Sequence, residues 1–538
     1  MKPDTQLLLI AGLLPPSVAS QSCPDYSSYS KTRHEPFSSG KHALSSARPS
    51  PACRTFNSSA VETLLTNMTS TIADADLARL FQNTYPNTLD TAIRWRGHAA
   101  DNPAEELAFI ITGDIDAMWL RDSANQLQSY LPVLEPDAAP NQTDSIASLY
   151  RGVINLQARQ LLTAPFCNSF QPPPESGIPP SPNPAAESDT VFPPYDKEKV
   201  FECKYELDSL AAFLQLSTDY YESTHDASFF GAFHWLAALR AVLDTAGAMT
   251  RGTYDPDTGA VRLPSPYSFS RLTTRATETL ANDGLGSPVR ETGMVRSAFR
   301  PSDDATLFQF LVPANMMLAR YLASASLIVD ALVEESKVEV PEGLAEEMRG
   351  FSARVREAVT KYGIVPVVVA SGPGGNASAA AAVETVYAYE VDGFGSAALM
   401  DDANLPSLLA APVFGYLANT DPVYQRTRAR LLSAEGNPYF MKGSVINGIG
   451  GPHAGPGMAW PMASIVRILT SDDDKEIVTA LKELVSSTDG LGLMHESINS
   501  NNATQWTRQW FSWANGLFGQ MILDLQFRKP DILQQSFQ

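Results

Sequence analysis

The sequence contains few basic residues and no long uncharged apolar stretch. Lysine and arginine together number 39 against 59 acidic residues, a net charge of −20, which argues against nucleic acid or an anionic membrane surface as a partner. The apolar run at residues 7–14 is too short to cross a bilayer, and no other stretch of spanning length is free of charge. We therefore expect a protein with no membrane span and no nucleic-acid partner.

Cysteine is also scarce, with only Cys23, Cys53, Cys167 and Cys203 in the chain. None of them shows the CxxC spacing that is typical of zinc sites. An even number of cysteines fits two disulfides formed in an oxidising compartment, with three possible connectivities. We expect nearest neighbours along the chain to pair, so that the second bond closes a loop around a proline-rich tract.

The N-terminus has the pattern of a secretory signal peptide. Lys2 supplies a positive charge, residues 7–14 an apolar region and residues 18–20 small side chains at a cleavage site. We expect residues 1–20 to be removed; a buried N-terminal helix is the alternative. No retention tail is visible at residues 534–538. The sequence leaves open whether the protein is secreted or retained in the lumen of the secretory pathway. Five sequons fit a secreted glycoprotein, although sequons also arise by chance: Asn57, Asn67, Asn141, Asn376 and Asn502.

Helical periodicity dominates the chain after an N-terminal arm. Residues 21–55 are rich in serine and proline and predict an extended arm. From residue 56 to 538 apolar residues recur mostly at helical spacing, with about twelve helix candidates and no repeated βα alternation. Two tracts at 168–197 and 371–381 interrupt the pattern and are interpreted as insertions. A single all-α dominated domain, an α-barrel or toroid with small irregular and β insertions, fits best.

One polar segment, residues 112–123, stands out by its side chains. Asp114, Asp116, Trp119, Arg121 and Asp122 follow an apolar run within a few residues of one another. Such a charged cluster beside a core is costly unless it binds something polar. Carboxylates, a guanidinium and a flat aromatic ring suit a neutral ligand rich in hydroxyl groups, such as a sugar. Two alternatives remain at this point: the carboxylates cap a helix, or the three aspartates coordinate calcium.

Further polar clusters lie between the helix candidates and contain the groups that glycoside hydrolysis needs. One carboxylic acid must protonate the leaving oxygen, and a second carboxylate must act as base or nucleophile. Each residue type also has ordinary structural roles, since acidic residues at a helix start complement the helix dipole and histidines often only hydrogen-bond within a core. The residues singled out in these clusters are Glu206, Asp208, Arg300, Asp303, Asp304, His453, His495, Glu496 and Trp513.

Six blocks in series resemble glycoside hydrolase family 125, the metal-independent exo-α-1,6-mannosidases. The blocks are TGDIDAMWLRDSANQ (112–126), FECKYELDSL (201–210), GMVRSAFRPSDDA (293–305), NGIGGPHAGPG (447–457), GLMHES (492–497) and FSWANGLF (511–518). The resemblance implies an (α/α)6 barrel, no metal or other cofactor, and the release of terminal α-1,6-linked mannose from an oligosaccharide with inversion. The two interrupting tracts would then be insertions that need not contact the chemistry.

The resemblance also implies roles for individual residues. The general acid is Asp303 or Asp304, with Asp303 preferred and expected to have a raised pKa, while Asp208 is a rival acid. Glu496 corresponds to the general base, and an inverting pair of carboxyl groups stands roughly 6.5–9.5 Å apart. The residues expected to bind the terminal mannose are Asp114, Asp116, Trp119, Arg121, Asp122, Glu206, Asp208, Arg300, His453, His495 and Trp513.

Other functions remain compatible with the same scaffold. A catalytically silent protein that binds mannose-containing glycans, a calcium-dependent hydrolase and an (α/α)6 α-glucosidase are the alternatives. We expect a monomer. The natural glycan, whether an N-glycan, an O-mannosyl chain or mannan, stays open.

Overall fold

The structure is a computed structural model that describes residues 23–137, 145–335, 338–369 and 382–538. The expected signal peptide at residues 1–20, the expected insertion at 371–381 and the sequons at Asn141 and Asn376 lie outside the described residues. The chain is helix-rich, with 43% of its residues in helices.

Helices supply most of the regular structure. The α-helices of the described residues are α1 (Tyr26–Tyr29), α2 (Ser59–Thr71), α3 (Ala75–Thr84), α4 (Leu120–Gln128), α5 (Ile146–Thr163), α6 (Leu207–Thr224), α7 (Ala227–Phe230), α8 (Trp235–Ala248), α9 (Ala281–Gly284), α10 (Val312–Glu335), α11 (Leu344–Ala358), α12 (Pro422–Leu431), α13 (Pro461–Leu469), α14 (Asp474–Ser486), α15 (Ser512–Arg528) and α16 (Pro530–Leu533). Several begin at residues that favour helix starts: Ser58 and Asp74 accept hydrogen bonds from the first turns of α2 and α3, and Pro461 opens α13.

Short strands join the helices and pair only locally. They are β1 (Ile93–His98), β2 (Glu106–Ile110), β3 (Met118–Trp119), β4 (Ser169–Phe170), β5 (Thr190–Phe192), β6 (Val200–Glu202), β7 (Ser268–Ser270), β8 (Phe310–Leu311), β9 (Ile364–Val369), β10 (Ala382–Tyr387), β11 (Glu390–Val391), β12 (Ala397–Ala398), β13 (Phe440–Met441), β14 (Gly448–Ile449), β15 (Met458–Ala459), β16 (Ser497–Asn499) and β17 (Asn502–Thr507). Every pairing between them is antiparallel, in sheets of two or three strands such as β3-β4-β6 and β15-β16-β17.

The central helices pack side by side in one series. Helix α10 packs on α6, α6 on α4, α4 on α15, and α15 on α13. A second layer covers them, with α11 on α10, α5 on α6, α14 on α13 and α3 on α15. Two layers of paired helices are what an (α/α)6 barrel requires. The closure of that ring stays a prediction.

The sequence pattern located the later helices well. It predicted helices at 342–360, 421–434, 459–470, 473–487 and 508–526, and the structure has α11 to α15 in those places with ends shifted by up to four residues. These predictions are confirmed, because amphipathic periodicity over ten or more residues is a strong local signal.

Helix α10 stands out among the described helices by its length and apolar composition. Among the described residues it is the one helix long and apolar enough to cross a membrane, with a mean hydropathy of 1.6 over Val312–Glu334. In the structure 72% of its most apolar window is buried inside the protein, between α6 and α11. A central core helix meets the same criteria of length and composition.

Both disulfides join nearest neighbours along the chain, as the sequence predicted. Cys23 pairs with Cys53 and Cys167 with Cys203, and no described cysteine is free. The second bond closes the proline-rich tract onto the sheet β3-β4-β6, at the edge of the helical core. Two disulfides are consistent with a protein of the secretory pathway.

Removing the second disulfide should destabilise the fold measurably. Because the bond spans 36 residues, the Cys167→Ser/Cys203→Ser variant should lose about 4 kcal/mol in free energy of unfolding through the added entropy of the unfolded chain. Urea titration of the variant and the wild type measures the difference. The Cys23→Ser/Cys53→Ser variant, whose loop spans 30 residues, should lose a similar amount. A loss below about 1 kcal/mol would show that the prolines already restrict the unfolded loop.

Candidate active site

A cavity of about 510 Å³ lies where the first residues of several central helices meet. Trp119 precedes α4, Trp460 precedes α13 and Phe511 precedes α15, and all three line the cavity. Helix N-termini present free N–H groups and a partial positive charge, so this end of the fold suits carboxylates and polar ligands. The lining residues are Thr112, Asp114, Ile115, Asp116, Trp119, Arg121, Asp122, Ser181, Pro182, Asn183, Pro184, Phe201, Glu202, Lys204, Pro301, Ser302, Asp303, Asn404, His453, Trp460, Glu496, Arg508, Phe511 and Trp513.

The polar segment, residues 112–123, forms one wall of the cavity. Gly113 bridges to Phe511 with a φ of 144°, and a Cβ at this position would lie 2.0 Å from the Trp510 carbonyl oxygen. Only glycine tolerates this close approach. The contact fixes the segment against the start of α15 and carries Asp114 to the cavity, where it accepts a hydrogen bond from Arg508 Nε at 2.8 Å.

The aspartates of this segment are not helix caps. The N-cap of α4 is Trp119, without a side-chain capping bond, and Asp114 lies before the helix. Each of the three carboxylates faces a different guanidinium: Asp114 faces Arg508 at 2.8 Å, Asp116 faces Arg94 at 3.1 Å, and Asp122 faces Arg121 at 3.3 Å. The capping interpretation is therefore wrong for Asp114, and the calcium interpretation loses its basis because each carboxylate already has a cationic partner.

Asp303 projects into the cavity from a loop with left-handed backbone, at a φ of 64°. Its Oδ1 accepts hydrogen bonds from Trp119 Nε1 at 3.3 Å and from Asn168 Nδ2 at 3.0 Å. Burial by itself would raise the pKa of Asp303, but the positive charges of Lys204 and Arg121 outweigh it and lower the pKa to about 2. The expectation of a raised pKa for Asp303 alone is therefore wrong.

A buried carboxyl near Asp303, that of Glu206, has the opposite pKa shift. Arg121 donates to Glu206 and, at 3.2 Å, to Asp208, and it also lies 3.3 Å from Asp122. Burial raises the pKa of Glu206 well above its usual range, and the Arg121 charge opposes this without cancelling it. The negative charge of Asp303 raises the pKa of Glu206 further, so Glu206 favours its protonated form more than Asp303 does.

Glu496 faces the cavity from the edge of the sheet β15-β16-β17. Its Oε2 accepts from Thr507 Oγ1 at 3.0 Å and its Oε1 from Arg508 Nη1 at 3.2 Å. Arg508 has a φ of 38° and also binds Thr112 Oγ1 at 2.8 Å, in addition to Asp114. One guanidinium therefore joins Glu496 to the wall that carries Asp114.

His453 lies on the cavity wall behind Asp303. Its Nδ1 stands 3.4 Å from Asp304 Oδ2. Burial lowers the pKa of His453, but the hydrogen bond and the charge of Asp304 outweigh burial and raise the pKa to about 9. With this pKa His453 is a cation at neutral pH, and it forms an ion pair with the carboxylate of Asp304.

Three hydrogen-bond donors on the cavity wall have no protein partner among the described residues. They are Nε1 of Trp460, Nε1 of Trp513 and Nδ2 of Asn404. Their residues are only 2%, 1% and 3% exposed. Buried donors are almost always satisfied in folded proteins, by protein groups or by ordered water.

The proline-rich tract reaches the cavity, contrary to the expectation that it need not contact the chemistry. Ser181 to Pro184 form part of the wall beside Asp116 and Phe201. Prolines excluded a helix correctly, but a sequence pattern contains no information about where such a loop lies in space.

Comparison with known proteins identifies the family of this chain. The sequence matches the family described as metal-independent alpha-mannosidase, glycoside hydrolase family 125, over residues 74–523. The chain belongs to this family. It is 44% identical over 517 residues to the meiotically up-regulated gene 157 protein of Schizosaccharomyces pombe, which covers 96% of this chain and 95% of that protein. It also resembles the crystal structure of a Streptococcus pneumoniae metal-independent α-mannosidase, in a non-productive complex with α-1,6-mannobiose, at 32% identity and a TM-score of 0.72, covering 87% of this chain and 99% of the other.

Membership places this family 125 protein among the glycosidases that act on α-mannosides. The cavity brings together most of the residues that the sequence singled out. Those that line it are Asp114, Asp116, Trp119, Arg121, Asp122, Asp303, His453, Glu496 and Trp513.

The other five predicted site residues of the family 125 protein lie behind the cavity wall. Glu206 and Asp208 hold Arg121, and Asp304 holds His453. Arg300 donates to the buried carboxylate of Glu390 at 2.6 Å. His495 is 1% exposed and stacks on Trp506 with ring centroids 4.7 Å apart. None of these five residues lines the cavity, and each faces a protein partner. Sugar contact by Glu206, Asp208, Arg300 and His495, and the role of Asp304 as a candidate acid, stay predictions.

Sequence reasoning also missed residues of this family 125 site. Lys204 lies inside the block FECKYELDSL, of which the sequence analysis proposed only the carboxylates Glu206 and Asp208 as site residues. Arg508 lies three residues before the block FSWANGLF, in a strand end with no distinctive pattern. Asn168 follows Cys167 directly, and that disulfide is the one sequence signal that could have located it.

Proposed function

We propose that this protein is an exo-acting glycoside hydrolase that releases terminal α-1,6-linked mannose with inversion of the anomeric centre. The observation that carries the proposal is that two carboxyl groups with different surroundings line one cavity of about 510 Å³. One is Asp303 together with the buried Glu206, whose pKa values are shifted in opposite directions. The other is Glu496, which accepts a hydrogen bond from Arg508.

The general acid in this mechanism is Asp303, the member of the pair that reaches the cavity. Asp303 receives the proton held on Glu206 and passes it to the glycosidic oxygen as the bond to the anomeric carbon breaks. Trp119 and Asn168 hold the carboxylate in position, and Lys204 stabilises the negative charge that Asp303 regains. Glu206 does not touch the substrate and acts through Asp303.

The general base is Glu496. It deprotonates a water molecule, which attacks the anomeric carbon on the face opposite the leaving oxygen, so that an α-mannoside gives β-mannose. Arg508 and Thr507 fix both oxygens of the carboxylate. A retaining mechanism would need the two carboxyl groups only about 5 Å apart, whereas a water between them needs roughly 6.5–9.5 Å.

Exo action is supported by the burial of three lining residues, which form a buried floor: Arg121, Asp122 and Trp513 are 3%, 4% and 1% exposed. A glycan that bound by its middle would need an exit on that side of the site. The α-1,6 linkage is supported by the pneumococcal relative, whose complex contains α-1,6-mannobiose. The disulfides support an extracellular or lumenal site of action.

The test is a linkage panel followed by proton NMR in the presence of a chelator. The protein is incubated with α-1,6-, α-1,2- and α-1,3-linked mannobiose and with an α-1,6-linked glucose disaccharide. We expect mannose release from the α-1,6-mannobiose alone, with β-mannose as the first anomer, and no loss of rate in EDTA.

Each alternative gives a different result. Binding of mannobiose without release would indicate a silent glycan-binding protein, and release of glucose would indicate an α-glucosidase. Loss of activity in EDTA that calcium restores would indicate a metal-dependent hydrolase. α-Mannose as the first product would contradict the inverting mechanism.

A further inference from the structure

Residues 172–184, here termed the proline segment, form a rigid part of the cavity rim. The Gln171 side chain binds the Ser181 backbone twice, donating to its carbonyl at 2.9 Å and accepting from its N–H at 2.8 Å. Ser181 Oγ donates to the Asp116 carbonyl at 3.0 Å, and Asn183 Nδ2 donates to the Phe201 carbonyl at 3.0 Å. Prolines lose little conformational freedom on folding, so these bonds fix the segment firmly.

The base of the proline segment is anchored as well. The disulfide Cys167–Cys203 joins its two flanks. Arg159 binds Glu175 at 2.9 Å within the segment. A tract that was only an exposed loop would not need attachments at its base, its middle and its tip.

The proline segment lies on the side of the acid. Ser181 is bonded to the chain beside Trp119, whose indole donates to Asp303. Phe201 packs edge-on against Trp119 with ring centroids 5.5 Å apart. Glu496 enters the cavity from a different sheet. Because the acid protonates the leaving oxygen, the sugar that carries this oxygen must lie on the side of Asp303.

The chemistry of the rim fits a neutral sugar ring. Pro182 and Pro184 are exposed, and with the ring of Phe201 they offer an apolar face for the C–H groups of a pyranose. The Asn183 side chain uses its amide N–H for Phe201, and its Oδ1 accepts no bond from the described residues, which leaves it open to a hydroxyl group. Glu202, nearby on the wall, is neutralised by Arg271 at 2.6 Å.

We propose that residues 182–184 and Phe201 bind the leaving-group saccharide, the sugar to which the terminal mannose is attached. This inference rests on the proposed function and adds a specificity site to it. The proline segment recognises the second sugar of the glycan, while the buried floor around Arg121 recognises the first. Glycans with a saccharide in that position gain binding energy that simple mannosides lack.

The test compares two substrates that share the terminal mannose. α-1,6-Mannobiose has a sugar leaving group, and α-mannosyl fluoride has none. For Pro182→Gly and, separately, Phe201→Leu, we expect kcat/KM for mannobiose to fall roughly ten- to a hundredfold, the scale of one lost apolar contact. The loss should appear in KM, and kcat/KM for the fluoride should stay within about twofold. Phe201→Leu retains most of the packing against Trp119. It therefore keeps the test interpretable if Pro182→Gly misfolds.

The matched control is Pro179→Ala, which changes a proline of the same segment that does not line the cavity. It should leave both substrates unchanged. An equal loss on both substrates in the Pro182 and Phe201 variants would show a purely structural role and overturn the inference. Unchanged mannobiose kinetics would overturn it too. A wild-type protein that hydrolyses neither substrate would instead contradict the proposed function itself.

Discussion

Asp303→Asn should lower kcat for α-1,6-mannobiose by roughly 10²–10⁴-fold, the range that general acid catalysis contributes. An amide cannot pass the proton of Glu206 to the glycosidic oxygen, and mannose is a poor leaving group without protonation. α-Mannosyl fluoride, whose leaving group needs little protonation, should retain most of its rate. Steady-state kinetics on the two substrates measure the contrast, and the circular dichroism of the variant checks its fold.

Two neighbouring carboxyl groups serve as controls for this prediction. Asp304→Asn removes the partner of His453, which is 3.4 Å away, and should affect both substrates alike. Glu206→Gln keeps the size of the side chain but cannot hold the proton that Asp303 receives in the proposed mechanism. Its mannobiose rate should therefore begin to fall at lower pH than in the wild type, since the proton must then reside on Asp303, whose pKa is low. Unimpaired mannobiose turnover by the Asp303 variant would transfer the role of acid to Asp304 or Asp208.

Glu496→Gln should abolish turnover of both substrates to a similar degree, again by roughly 10²–10⁴-fold. The attacking water needs a base whatever the leaving group is. The rate for α-mannosyl fluoride should therefore fall as much as the rate for mannobiose. The pair of variants separates the two roles, because the acid variant discriminates between the substrates and the base variant does not.

A half-buried carboxylate that does not line the cavity provides the matched control for Glu496. Asp219 lies on α6, eleven residues after Asp208, and accepts a hydrogen bond from Gln128. Asp219→Asn should leave kcat unchanged on both substrates. Retained fluoride hydrolysis in the Glu496 variant, with the mannobiose rate lost, would contradict the assignment and make Glu496 a second acid or a positioning group.

The sequence predicted those parts of the fold that depend on short-range order. Amphipathic periodicity located α11 to α15, and the even number of cysteines, paired as nearest neighbours along the chain, led to the observed disulfides. The polar segment around Trp119 was predicted to bind a ligand because its charged side chains lie close together in the sequence. In each case the physical cause acts within a few turns of helix or within one loop.

The electrostatics of the site depend on distant neighbours and could not be predicted. Arg508 lies 394 residues from Asp114, with which it pairs, and nothing in either local sequence indicates the partner. The pKa of Asp303 depends on Lys204 and Arg121, about 100 and 180 residues earlier in the chain, so its direction was predicted wrongly. Burial and the sum of several opposing charges decide such shifts, and both require the folded chain.

The disulfide between Cys167 and Cys203 has a consequence for where this protein works. Asn168, which binds Asp303, directly follows Cys167, and Lys204, which sets the charge state of Asp303, directly follows Cys203. The backbone N–H of Lys204 also donates to the Asn168 side chain at 3.1 Å. One sulfur–sulfur bond thus holds together both groups that prepare the acid. Under the proposed mechanism we therefore expect full activity only in protein whose Cys167–Cys203 disulfide has formed, as in an oxidising compartment.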